Sequence, residues 1–296
     1  MKFKKWMAIA VVATLAAGAV ALTGCSGSSG SQSGSGGSSG SNLQGTINVS
    51  GSDTMVNLAQ AWAEKFNGEN PGVVITVKGG GSGNGIAALL NKTVDFADAS
   101  REMKPEEISQ GATAGVNPVK TEVARDGVVI AVNSANTVTG LTKAQLGQIY
   151  AGEITNWKQV GGPDAAIVLL GRDSSSGTYA FINDEVLAKL PNKPKYAKSM
   201  QNLQSTQAIV DQVGKDPNAI GYIGLGYENS SIKAVPVDGT TATQASVLDG
   251  SYALSRGLFM YSNGAPQGAS KAYVDWILGP EGQAIVKTQG FVPLKK

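Results

Sequence analysis

Seven consecutive residues, Arg172-Asp173-Ser174-Ser175-Ser176-Gly177-Thr178, place a guanidinium, several hydroxyls and a glycine within one short stretch. Such groups donate hydrogen bonds, and the chemistry they suit is the holding of an anion. The apolar run Ile167-Val168-Leu169-Leu170 before them reads as a buried strand, and Phe181, Ile182, Val186, Leu187 and Leu190 after them recur at helical spacing. A strand that ends in a polar turn and opens a helix aims free backbone N–H groups and the positive end of the helix dipole at one point. Ser176 or Thr178 alone reads equally well as the N-cap of a surface helix. The arginine together with the hydroxyls is what points to an anion site.

The residue types that are missing narrow the chemistry further. There is no histidine and one cysteine, Cys25. Ser-His-Asp and Cys-His arrangements are therefore excluded, as is histidine-ligated zinc. A disulfide within the chain is excluded too. Carboxylate or lysine mechanisms and oxygen-ligated metals remain open, but no paired-carboxylate metal motif stands near the polar turns. No cofactor is expected.

Three earlier stretches repeat the same design. The strand Thr46-Ile47-Asn48-Val49-Ser50 runs into Gly51-Ser52-Asp53-Thr54 and a helix with Met55, Leu58, Ala59, Trp62 and Phe66 on one face. A second strand, Val73 to Val77, leads to Lys78 and the glycine loop Gly79 to Gly85, which contains Ser82, with a short helix over Ile86 to Leu90. Glycines let a ligand approach backbone N–H groups closely. A third strand, Val94 to Ala97, is followed by Asp98-Ala99-Ser100-Arg101. The candidate binding residues are thus Ser52, Asp53, Thr54, Ser82, Ser100, Arg101, Arg172, Ser176, Gly177 and Thr178. Gly83-Asn84-Gly85-Ile86-Ala87-Ala88 also fits a dinucleotide fingerprint, but the following helix is short and Asp98 comes too early for the ribose acid. No lysine follows the loop in P-loop register.

The elements that must carry these turns begin after a leader. Lys2, Lys4 and Lys5 precede an uncharged stretch from Trp6 to Leu22, the layout of a secretory signal over residues 1–24. Leu22-Thr23-Gly24-Cys25 is similar to a bacterial lipobox, in which Cys25 is acylated and becomes the new N-terminus. Residues 26 to 41 are Ser and Gly with one Gln32. The stretch 25–42 is expected to be a lipidated flexible tether reaching roughly 20–24 Å. Discounting the three leader lysines from 24 basic residues leaves 21 against 22 acidic ones, a formal charge of −1. A nucleic-acid partner is not implied, and no second stretch is apolar enough to span a membrane.

From Gly127 the alternation continues, with a buried strand to Asn133, a helix begun at Thr142 with Leu146 and Ile149, and Trp157 in a turn. A helix near Thr206 to Val213 and a strand Ala219 to Ile223 follow. Leu254 to Tyr261 reads as a strand returning to the first half. The expected fold is α/β, with mostly parallel sheets flanked by helices on both faces. The first lobe is expected over 43–130 plus 251–296 and the second over 131–250.

The chain resembles the phosphate-binding receptors of bacterial phosphate ABC importers, in the periplasmic-binding-protein superfamily, from about Gly45 to its end. The likeness rests on Gly51-Ser52-Asp53-Thr54, Gly81-Ser82-Gly83, Val94-Asp95-Phe96 with Ala99-Ser100, and Leu146 to Tyr150 with Gly152 and Trp157. It continues through Arg172 with Ser176-Gly177-Thr178, Ala219 to Tyr222, and Gly290-Phe291-Val292-Pro293-Leu294. The resemblance implies two α/β lobes joined by crossover strands, closing on a dehydrated phosphate without metal or counter-ion. Its phosphate contacts fall on Thr54, Ser82, Arg172, Ser176, Gly177 and Thr178. Where the family's best-known pattern has an aspartate that accepts the phosphate proton, this chain has Arg101; where it has an aspartate two residues past the arginine, this chain has Ser174. Asp53 is then the first candidate acceptor and Asp126 the second. The implied partners are inorganic phosphate, the permease of an ABC importer and, through Cys25, the membrane; a monomer is expected. The alternatives are a receptor for sulfate, molybdate or another oxyanion, and a surface-anchored phosphatase.

Overall fold

Strand β1, Gly45–Gly51, buries Ile47 and Val49 and exposes Thr46 and Asn48, the alternation of a strand with one face on a core. Residues 43–294 are described by the computed structural model; the expected signal, Cys25 and the expected tether lie outside the described residues. Helix α1, Val56–Glu69, packs Leu58, Ala59, Trp62, Ala63 and Phe66 inward. It has no side-chain N-cap, so its stability comes from this face, where burial of Leu58 and of Phe66 contributes about 1.5–3 kcal/mol each. Strand β2, Val73–Lys78, pairs parallel with β1. Helix α2, Ser82–Leu90, starts four residues before the expected Ile86, because its first turn is built from the glycine loop itself. Strand β3, Phe96–Ala99, pairs parallel with β1 on its other side. It starts later than the expected Val94, and Asp95 instead takes the Asn48 N–H on its carboxylate at 2.7 Å.

After α3, Pro105–Thr113, comes the longest strand, β4, Pro118–Asn133, with 16 residues. Its second half is buried throughout, and helix α4, Lys143–Ala151, follows behind a capping box in which Thr142 accepts from Gln145 N–H. Then come β5, Val168–Arg172; α5, Gly177–Glu185; β6, Gln201–Leu203; and α6, Thr206–Lys215. They are followed by β7, Ala219–Gly224; β8, Ile232–Val235; and α7, Gln244–Leu248. Strand β9, Ser255–Asn263, and helices α8, Gly268–Leu278, and α9, Pro280–Thr288, complete the chain.

The strand order is β2-β1-β3-β9-β4-β7-β5-β6, with β8 also on β4. Within each lobe the outer strands are parallel: β2, β1 and β3 in the first, β6, β5 and β7 in the second. The joining strands are antiparallel to their neighbours, so the sheet is mixed. The reason is directional: β4 carries the chain out to the second lobe and β9 carries it back. One apolar core forms around Ile47, Trp62, Phe66, Phe96, Tyr273 and Phe291, and a second around Val128 to Val132, Trp157, Ile209 and Tyr222. Among the described residues no helix is long and apolar enough to cross a membrane.

Candidate anion site between the lobes

The C-terminal ends of β1, β3 and β5 and the first turns of α2 and α5 meet in the interior. In the first lobe Ser52 donates its N–H to Asp98 O and its Oγ hydrogen to Ser100 Oγ, both at 2.9 Å. The Ser100 N–H donates to Ser82 Oγ at 3.1 Å. Ser52, Ser82 and Ser100 are all buried. From the second lobe, Thr178 brings its Oγ1 to 3.0 Å from Thr54 Oγ1. Gly177 lies so close that a methyl group on it would stand 2.4 Å from Ser82 Oγ and 2.6 Å from Ser100 Oγ, so only glycine fits while the lobes meet. Ser176 is the N-cap of α5, accepting from Tyr179 N–H at 3.3 Å. The expected cluster Ser52, Thr54, Ser82, Ser100, Ser176, Gly177 and Thr178 is therefore brought together, in a conformation with the lobes in contact.

Arg172, at the end of β5, is among the largest fully buried side chains. Its Nε donates to Leu203 O at 3.0 Å, Nη1 to Thr206 Oγ1 at 3.1 Å, and Nη2 to Gln204 O at 2.8 Å and to Asp53 Oδ2 at 2.5 Å. Asp53 also accepts the Gly80 N–H at 3.0 Å, and its backbone carbonyl accepts from Tyr227 OH at 2.6 Å. Asp53 does not cap α1; it spans the two lobes as the charge partner of Arg172. The charge partner of Arg172 is thus a carboxylate from the first lobe and not one from its own turn.

Arg101 is placed differently. Both of its terminal nitrogens engage Glu107, at 2.8 and 2.7 Å, and Nη1 also donates to Glu102 O. Partial burial would raise the Glu107 carboxyl, but the Arg101 guanidinium outweighs it and holds it below the usual range. The same carboxylate accepts the Lys104 N–H that opens α3. Arg101 thus borders the α2 turn without turning its fork to the hydroxyl cluster. Its partner at the start of a helix was not evident from the sequence.

Asp126 in β4 is buried and directly faces Arg256 in β9. Its Oδ1 accepts the Leu225 N–H at 2.9 Å, and its Oδ2 accepts from Arg256 Nε at 2.9 Å and Nη2 at 2.7 Å. Burial pushes the Asp126 carboxyl above its ordinary range despite the pull of Arg256. Sequence reading missed Arg256, Thr206 and Tyr227. The one available signal for Arg256 was a lone arginine inside the apolar run Leu254 to Tyr261. A cavity of about 400 Å³ opens between Arg101 to Lys104 on one side and Phe181, Asp184 and Glu185 on the other, with Arg256 also lining it. Among the described residues no cluster of three or more carboxylate, cysteine or histidine side chains could hold a metal ion.

Two α/β lobes that share crossover strands and press hydroxyls, helix N-termini and a pinned arginine together at their interface define a two-lobed solute-binding protein. The family model described as a PBP superfamily domain matches residues 36–281. The chain belongs to the PstS family of that superfamily. It is 33% identical over 257 residues to the phosphate-binding protein PstS of Borreliella burgdorferi, covering 84% of this chain and 90% of the relative. It is 30% identical over 275 residues to the phosphate-binding protein PstS of Pseudomonas aeruginosa, covering 85% and 84%. Among solved structures it is similar to a phosphate ABC transporter substrate-binding protein from Clostridium perfringens, described as putative in that structure's name and holding bound phosphate. The TM-score is 0.78 at 33% identity, covering 85% of this chain and 100% of that one.

Proposed function

We propose that this protein is an extracytoplasmic receptor that binds inorganic phosphate and delivers it to the permease of an ABC importer. The observation that carries the reading is the buried meeting of Thr54, Ser82 and Ser100 from one lobe with Gly177 and Thr178 from the other. A tetrahedral oxyanion taken out of water needs hydrogen-bond donors on every side, because its charge is costly to bury unless paired. Hydroxyls, the backbone N–H groups at the start of α5 and the field of its helix dipole supply them. Arg172, itself neutralised by Asp53, adds a guanidinium without making the site strongly cationic.

The binding set is Ser52, Asp53, Thr54, Ser82, Ser100, Arg172, Ser176, Gly177 and Thr178, with Arg101 at its edge. The lobes are 43–130 with 251–296, and 131–250. The ligand is bound and released unchanged: hydroxyls stand without a histidine base, and the reading includes no enzyme activity, cofactor or metal. Residues 1–24 act as a lipoprotein signal, Cys25 carries the lipid, and 26–42 tether a monomeric receptor to the membrane. Two acyl chains hold such an anchor stably where one does not, at about 0.8 kcal/mol per buried CH₂.

Calorimetric titration of the purified chain with phosphate, sulfate and molybdate, beside a phosphomonoester turnover assay, tests the reading. Tight binding of phosphate, weaker binding of the other two and no turnover are expected. A preference for sulfate or molybdate would make it a receptor for another oxyanion, and turnover of the ester would make it an enzyme.

A further inference from the structure

The site holds one buried charge that the reading above does not use. Arg256 stands on β9 and pairs in register with Asp126 on β4, the two strands that join the lobes. Asp126 takes Nε and Nη2 on a single carboxylate oxygen, which fixes the guanidinium plane. Nη2 also lies 3.4 Å from Thr54 Oγ1, and Thr54 Oγ1 is 3.0 Å from Thr178 Oγ1. On its other side the guanidinium carbon sits 5.4 Å from the ring centre of Phe181, one turn past Thr178 in α5. Nη1 remains: it is buried and has no hydrogen-bond partner among the described residues. Every terminal nitrogen of Arg172, by contrast, has an acceptor. Burying a charged donor without an acceptor is strongly unfavourable. A guanidinium locked by Asp126 with one nitrogen open, beside two hydroxyls that close an anion site, has the geometry of a ligand contact.

We propose that Arg256 is a ligand-binding residue, its Nη1 donating to the bound oxyanion beside Thr54 and Thr178, and that Asp126 is the positioning residue that aims it. The proposal rests on the oxyanion-receptor reading above. It adds a third source of contacts: the anion is held by both lobes and also by the strands between them.

The test titrates inorganic phosphate into the purified full chain in three forms: the parent, Arg256→Gln, and the double variant Asp126→Asn with Arg256→Gln. Both variants should lose phosphate affinity by on the order of 30-fold or more, the loss expected when a charged partner of a buried anion is removed. The rise in Tm on adding phosphate should shrink in step. If Arg256 only neutralises Asp126, the double variant, which leaves neither charge unpaired, binds like the parent, and the proposal falls. It falls equally if Arg256→Gln alone binds like the parent. A crystal structure of the parent with phosphate decides the matter even where a variant does not fold: an anion oxygen within hydrogen-bond distance of Nη1 is required, and its absence overturns the proposal. A parent that binds no phosphate sinks the phosphate reading first; the same titrations with sulfate and molybdate then judge Arg256, and no binding in any of them rejects both.

Discussion

Arg172 makes four side-chain hydrogen bonds, three to residues 203–206 of its own lobe and one to Asp53 of the other. The three bonds within its own lobe hold the guanidinium before any ligand arrives, which lowers the entropic cost of using it. Arg172→Ala should weaken phosphate binding by about 2–5 kcal/mol, mostly through faster release, as stopped-flow and calorimetry would record. Arg101→Ala should cost less, because that arginine stands at the border of the site with its fork turned to Glu107 and not to the hydroxyl cluster. Parent-like binding by Arg172→Ala would remove the residue from the site. Asp53 raises the question of the proton. Near neutral pH phosphate carries a proton and can donate a hydrogen bond, whereas sulfate cannot, and a mismatched buried acceptor discriminates by roughly 10⁴–10⁵ in well-built sites. Asp53→Asn should weaken phosphate and narrow its margin over sulfate. Should the margin survive in Asp53→Asn and collapse in Asp126→Asn, the acceptor is Asp126.

At the scale of elements, the contact that closes the cleft is made by a turn. Gly83 N–H donates to Ser175 O at 2.8 Å, and Ser175 Oγ to Gly80 O at 3.2 Å, one lobe clasping the other. Gly81 has φ of +100°, and a methyl group there would lie 2.5 Å from Ser175 Oγ. Gly81→Ala should therefore speed phosphate release about tenfold or more, an effect of roughly 1.4 kcal/mol, while association changes less. Equal changes in both rates would show that the strain acts on the first lobe alone. These strand, turn and helix units were legible because each is local: apolar alternation, then Gly, Ser and Thr, then helical spacing. The α1 face of Leu58, Trp62 and Phe66 and the Thr142 cap follow the sequence pattern closely. Helix α3 was not legible, since only Gly111 of its nine residues is buried and its apolar pattern is weak. Pairings that need closure were hidden too. Asp53 and Arg172 are 119 residues apart, and nothing along the chain marks them as partners. Arg256 reads as an interruption of a strand until Asp126 is placed across from it.

For the whole molecule, the direct contacts of Thr54 with Thr178 and of Gly83 with Ser175 describe a closed form. Ligand entry is expected to part the lobes, with rotation absorbed near residues 126 to 133 and 250 to 256. Small-angle scattering should show a smaller radius of gyration with saturating phosphate. An unchanged profile, where calorimetry confirms binding, would reject the hinge. Stability should also depend on pH through Asp98. Burial pushes this carboxyl up to about 8, and its Oδ1 has no hydrogen-bond partner among the described residues. The folded form therefore keeps a proton that the unfolded chain loses near pH 4, so the stability that Asp98 contributes is fully present at low pH and is lost as pH rises towards 8. Asp98→Asn should flatten that decline and raise Tm at pH 8 by on the order of 5 °C relative to its effect at pH 5. A parallel shift at both pH values would show that Asp98 is not the group responsible.

The return of the chain through β9 bears on the order in which the molecule can be built. Strand β3 has its antiparallel partner in β9, with Phe96 opposite Ser262, so the first lobe cannot complete its sheet until nearly the whole chain exists. The second lobe lies between them and carries its own core, with β5, β6, β7 and β8 all within the interval that β4 opens and β9 ends. Long-range pairing of this kind is slow, because a large loop must close before any contact rewards it. The inserted lobe is thus the part that can mature first, while the segment that begins the fold waits longest for its neighbour. A nascent chain of this topology stays open at its leading end.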